Sequence, residues 1–157
     1  MELITKQHGT FTYNEEDIII FKKGIMGLEN LKKFIIADIK ENPVFKILQS
    51  IEDEDVGLVI ISPFEVKNNY EIELKDDLIE KLSISSQKEV MLYNTVTVNS
   101  DVHKITVNLK APIVINMDKK LGEQIIIDKE EYKIKHPLIE RWFRCWLLQE
   151  KRAKLCL

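Results

Sequence analysis

Residues able to do acid–base, nucleophilic or metal chemistry are present in this 157-residue chain, but their spacing assembles none of the usual sites. His8, His103 and His136 are isolated from one another and from Cys145 and Cys156. Structural zinc needs Cys or His ligands at short, characteristic spacings, and none occurs, so no metal site is expected. No G-x-S-x-G elbow offers a serine nucleophile, and no P-loop or G-x-G-x-x-G turn offers a phosphate cradle. Gly24 and Gly27 stand alone and read as turn positions with positive φ. Carboxylates are plentiful, and Glu52-Asp53-Glu54-Asp55 is their densest run. Four adjacent acids repel one another, lack the residue order of a calcium loop, and do not form the opposed, buried pair of a glycosidase. The run reads first as a solvated loop, with an acidic docking patch for a basic partner as its second use. No cofactor is expected.

The elements that would position these residues are strands. Candidate runs are Thr10–Tyr13, Asp17–Phe21, Lys33–Ala37, Phe45–Ser50, Gly57–Ser62, Tyr70–Leu74, Val90–Asn99, Lys104–Leu109, Ile113–Asn116, Gln124–Asp128 and Glu131–Lys135. Most are rich in β-branched and aromatic residues. Tyr70-Glu71-Ile72-Glu73-Leu74 alternates apolar and acidic side chains, as a half-buried strand does. Leu58-Val59-Ile60-Ile61 is apolar on both faces and reads as central. Turn signals such as Asn42-Pro43, Ser62-Pro63 and Asn99-Ser100-Asp101 separate the runs. Within residues 1–138 helix is expected only at one turn within Leu28–Lys33 and over Asp76–Leu82, where acids sit at the positive end. There is no βαβ rhythm. The expected fold is all-β and barrel-like, with about ten short strands and one or two short helices.

Apolar residues make up 45% of the chain and charged residues 31%, with a net charge of −3. That excludes a disordered chain and gives no global case for nucleic acid or anionic membrane as a partner. No apolar run approaches the roughly 20 residues of a membrane span, and the first residues do not resemble a signal peptide. A soluble, cytoplasmic protein is the expectation. Composition breaks after Leu138. Residues 1–138 carry −6 with no Arg, whereas 139–157 carry +3 and hold every Arg, Trp and Cys. In that tail Ile139, Trp142, Phe143, Trp146 and Leu147 recur on one helical face. The expectation is a β-domain over 1–138 and a basic amphipathic helix over 139–157. Three uses of the helix stay open: cover for the core, a partner or self-association helix through Trp142, Phe143 and Trp146, or an extension foreign to the domain.

Asn108-Leu109-Lys110-Ala111-Pro112-Ile113-Val114-Ile115-Asn116 resembles the N-L-x-A-P-[IL]-V-[IV]-N signature of the FliW family of flagellar assembly factors. Further segments match in order: Thr5-Lys6 through Gly9, Ile19 through Glu29, Leu48-Gln49-Ser50, Leu58 through Phe64, and Glu131-Tyr132 through Leu138. Met26 and Leu28 stand where the family usually has Pro and Phe. The resemblance implies a non-catalytic, cytoplasmic regulator. It would bind the translational repressor CsrA to relieve repression of flagellin synthesis, and alternatively bind flagellin as a chaperone-like partner. It would touch no nucleic acid directly and no membrane. The acidic 1–138 region suits a basic partner such as CsrA.

For the partner-binding residues, two readings stand side by side. Asn108, Lys110 and Pro112 serve either the fold or a partner. Phe64 either fills the core or is an exposed anchor. Glu71 and Glu73, like Asp53 and Asp55, are either a solvated face or a docking patch. The rival functions are a small β-barrel hydrolase using a carboxylate pair, and a generic self-associating interaction module.

Overall fold

The structure, a computed structural model, describes residues 1–5, 8–40 and 42–138. The aromatic tail helix expected over 139–157 lies outside the described residues. The chain opens with a hairpin of β1 (Glu2–Thr5) and β2 (Gly9–Thr12), which forms a sheet of its own. An antiparallel meander follows: β3 (Ile19–Ile20), β4 (Lys33–Ile39), β5 (Asn42–Ser50) and β6 (Gly57–Ile61). Two short helices, α1 (Pro63–Val66) and α2 (Asp76–Lys81), lead to β7 (Val90–Thr97). Then come β8 (Thr106–Val107), β9 (Ile113–Asn116), β10 (Leu121–Gln124) and β11 (His136–Pro137).

The pairings close on themselves. β9 pairs with both β10 and β7, so β7, β6, β5, β4, β3, β10 and β9 form a ring, with β8 and β11 extending from β7. All-β, barrel-like architecture is therefore what the chain builds. The tie between the first and last thirds is one parallel pairing, Ile20 with Leu121, where Ile20 N–H donates to Lys120 O at 2.9 Å. Inward-facing Ile19, Phe21, Phe34, Leu48, Ile60, Tyr93, Ile113 and Ile115 fill the interior, all 5% exposed or less. Phe21 and Phe34 meet edge to face at 5.4 Å. Alternation sends Val114 outward, where it packs under Leu78 of α2 and Leu82 just after it.

Three expected strands are corrected. Tyr70–Leu74 is extended but joins no ladder, and Glu131–Lys135 is a turn-rich segment. Pairing expected over Gln124–Asp128 instead occupies Leu121–Gln124 and stops there. Beyond it, Ile125 N–H donates to Pro112 O and Ile127 N–H to Lys110 O, so the chain follows the 108–112 excursion rather than a strand. Alternation in these runs reflects side chains packed on the outside of the barrel, not a ladder. Ile72, for instance, lies over Leu92 and Val114. Strand β1 carries no such alternation and was not expected. Gly24 and Gly27 do hold positive φ, at 68° and 84°. At Gly24 a Cβ would also lie 2.6 Å from Glu29 Cα, so the turn needs glycine twice over.

Candidate protein-binding surface

Past Ile61 the chain leaves the sheet at Pro63, which starts α1. It returns in extended form from Tyr70 and crosses the outside of the barrel before α2. Tyr132 pins that extended segment. Its hydroxyl accepts from Glu71 N–H at 2.8 Å and donates to Glu71 O at 3.1 Å, standing in for a strand neighbour. Lys129 Nζ also reaches Glu71 O at 3.1 Å and lies 5.3 Å from the centre of the Tyr132 ring. Tyr70 stacks on Tyr132 at 4.5 Å and donates from its hydroxyl to Leu109 O at 2.8 Å. Burial pushes the Tyr70 hydroxyl up to about 12, because the phenolate would lose its water.

Between this segment and β7 lies a groove of about 620 Å³. One wall is Tyr70 through Leu74, and the other is Val90, Met91 and Leu92. Ile79 and Ile84 close one end and Ser62 and Phe64 the other part of its rim. The lining is mainly apolar, with the Glu71 and Glu73 carboxylates exposed at the edge. Phe64 is 48% exposed and meets Tyr70 edge to face at 6.3 Å; Met91 is 42% exposed. Large apolar side chains left half in water around a concave apolar surface are a feature that protein-binding surfaces share.

The sequence-derived candidates divide into three places. Phe64, Glu71 and Glu73 converge on the groove. Asp53 and Asp55 sit in the β5–β6 loop, at the other end of β6, about 13 Å of strand away at ~3.3 Å per residue. That loop is built from local turns. Ser50 Oγ accepts from Glu52 and Asp53 N–H, and Asp53 Oδ1 accepts from Asp55 N–H. Glu52 Oε1 accepts from Lys32 and Lys33 N–H at 2.6 and 2.8 Å, and these amides hold its carboxyl below the usual range.

The third place is the 108–112 excursion, where β8 hands over to β9 along the edge of β7. Asn108 Oδ1 accepts from Lys110 and Ala111 N–H, both at 3.1 Å. Its own N–H reaches Thr95 O, and its carbonyl accepts from Asn94 Nδ2 at 2.7 Å. Leu109 is fully buried, and Gln124 Nε2 donates to Ala111 O. Pro112 is buried, and Lys110 is half-buried. Asn116 repeats the device at the far end of β9, accepting from Asp118 and Lys119 N–H and donating to Leu82 O.

These motif residues therefore carry the turn itself. A family model, FliW protein, matches residues 2–138, the span that holds the excursion, the groove and the ring of strands. The chain belongs to the FliW family of flagellar assembly factors. The flagellar assembly factor FliW of Clostridium botulinum (strain Okra / Type B1) is 52% identical over 140 residues, covering 89% of this chain and 98% of that protein. That of Clostridium tetani (strain Massachusetts / E88) is 50% identical over 145 residues, covering 92% of this chain and all of its own length. A crystal structure of the flagellar assembly factor FliW superposes with a TM-score of 0.79 at 40% identity, covering 88% of this chain and 96% of that one. FliW proteins are assembly factors rather than enzymes. No Asp or Glu is buried among the described residues, so the facing carboxylate pair a hydrolase needs is not formed there. No described helix is long and apolar enough to cross a membrane. Sequence reasoning missed Ile79, Ile84 and Met91.

Proposed function

We propose that this FliW family member is a cytoplasmic partner switch. It binds the translational repressor CsrA, relieving repression of flagellin synthesis, and it alternatively binds flagellin as a chaperone-like partner. Flagellin that accumulates occupies the factor; flagellin that is exported frees it for CsrA. Binding is mutually exclusive, so one partner lowers the amount of factor open to the other. The observation that supports this most is the apolar groove with half-exposed Phe64, rimmed by Glu71 and Glu73. A net charge of −6 over residues 1–138 favours encounter with a basic partner. The Asp53 and Asp55 loop offers a second acidic contact at the opposite end of β6.

Titration calorimetry tests the reading. CsrA and flagellin from the same organism are each titrated into the full chain, and CsrA is then titrated into the preformed flagellin complex. Saturable binding of each, with loss of CsrA binding in the complex, is expected. Binding of neither overturns the proposal, and simultaneous binding of both overturns the switch.

A further inference from the structure

The ladder between β6 and β7 ends early, and a proline ends it. Ile60 pairs with Thr95 and Ile61 with Asn94. The same register carried on would set Ser62 against Tyr93 and Pro63 against Leu92. Pro63 has no N–H to donate, and its carbonyl accepts from Lys67 N–H as α1 begins. β7 thus runs on without β6 through Leu92, Met91 and Val90.

On its other edge β7 is paired with β9 through the whole of Val90–Tyr93. There Met117 N–H donates to Glu89 O, and Asn108 N–H donates to Thr95 O. Successive residues of an antiparallel strand aim their main-chain groups at opposite edges. Glu89, Met91, Tyr93 and Thr95 therefore face β9 and β8, while Val90 and Leu92 face the groove. Val90 N–H is already held by Gln87 O. Among the described residues nothing pairs with the remaining groups, Leu92 N–H and the carbonyls of Val90 and Leu92, which form a short open strand edge. Most open edges carry a charge, a proline or a cover. This one opens onto an apolar groove whose facing wall is itself extended backbone, and whose rim is acidic.

We propose that the groove takes an extended segment of a protein partner, added as a strand along Val90–Leu92. Its alternate apolar side chains would lie in the groove, and its Lys or Arg side chains would meet Glu71 and Glu73. Main-chain bonds supply the hold in this mode, and alternate side chains supply the choice of segment. The inference goes beyond the partner switch and holds whether or not CsrA or flagellin is the partner that supplies the segment.

The test uses the full chain and a labelled synthetic peptide, Lys-Val-Lys-Ile-Lys-Val-Lys, read by fluorescence anisotropy, with Leu92 amide exchange followed by NMR. Controls are the same peptide N-methylated at alternate amides and its Glu-for-Lys counterpart. The Lys peptide is expected to bind and to protect the Leu92 amide. N-methylation is expected to weaken it at least tenfold, and Glu71→Lys with Glu73→Lys about tenfold at low salt. Both substitutions are at exposed positions, and circular dichroism confirms the fold. Binding indifferent to N-methylation or to charge reversal overturns the proposal, as does no binding with a freely exchanging Leu92 amide. A Leu92 amide protected in the free chain at every concentration makes the occupant a segment of the chain itself. Protection that appears only as concentration rises makes it a second copy. Either result overturns a partner segment.

Discussion

Replacing Asn108 with alanine removes the oxygen that two amides share. Lys110 and Ala111 N–H both point at Asn108 Oδ1 at 3.1 Å, and Ala111 is only 5% exposed, so water cannot readily replace the lost acceptor. At about 1 kcal/mol per bond, and more where a donor is left buried, the loss comes to about 2 kcal/mol. For a chain of this size that lowers the melting temperature by about 4–8 °C. Asn108→Asp keeps the accepting oxygen and is expected to stay within about 1 kcal/mol of the parent. Thermal unfolding followed by circular dichroism measures both variants, and calorimetry with CsrA and flagellin measures binding by the folded fraction. The expected pattern is a lower melting temperature for Asn108→Ala with affinity kept. An unchanged melting temperature together with lost affinity would show that Asn108 is a partner contact and that the turn argument is wrong.

Gly24→Ala is expected to destabilise by about 3 kcal/mol or more, since positive φ and a 2.6 Å approach to Glu29 Cα act together; Gly27→Ala, with open space around its Cβ site, should cost about 1 kcal/mol. Urea unfolding separates them, and equal costs would refute the close-approach argument. Tyr70→Phe leaves Leu109 O without its donor and should cost about 1–2 kcal/mol at neutral pH. Because burial holds the Tyr70 hydroxyl near 12 while an unfolded tyrosine ionises near 10, the neutral form's stabilisation is complete below about pH 10 and is lost as pH climbs toward 12. The Phe variant should lose less stability than the parent between pH 9.5 and 11.5, and parallel curves would refute this. Glu52→Ala removes an acceptor from the Lys32 and Lys33 amides and should cost about 1 kcal/mol at pH 7. The Glu52 carboxyl is held low in the fold, so its contribution is present above the ordinary glutamate range and is lost as pH falls through the folded value. Denaturation midpoints of parent and variant should converge in acid.

Strand identity was legible wherever side-chain period and main-chain pairing coincide. The β4–β5–β6 meander and Ile113–Asn116 are examples, and acids at the start of α2 marked that helix. Tyr70–Leu74 has the same alternation without the pairing. A period of two records which side chains are covered, and here the cover comes from the barrel's outer face while Tyr132 satisfies Glu71. Pairing depends on a neighbour, and no described strand pairs with this segment. The site was legible to a similar degree. Phe64, Glu71 and Glu73 could be named individually, but their convergence follows from the reversal through α1. Nothing local to residues 62–74 predicts that Val90–Leu92 forms the opposite wall. The Asn108–Pro112 motif was distinctive enough to suggest a family, yet its residue types could not distinguish a turn from a contact. The bonds at Asn108 Oδ1 give it a part in the turn.

The ring of strands is closed late in the chain's own order. β3, β4, β5 and β6 can pair as soon as residue 61 is available, but β3 has its second neighbour only when Leu121 arrives a hundred residues after Ile20. During synthesis the first half of the molecule therefore leaves the ribosome as an open, curled sheet with Phe21, Phe34 and Leu48 bare along one side. At ordinary elongation rates of about 5–20 residues per second, that half-built state lasts for seconds. The chain itself must pass through an interval in which its own apolar lining is open to whatever is nearby.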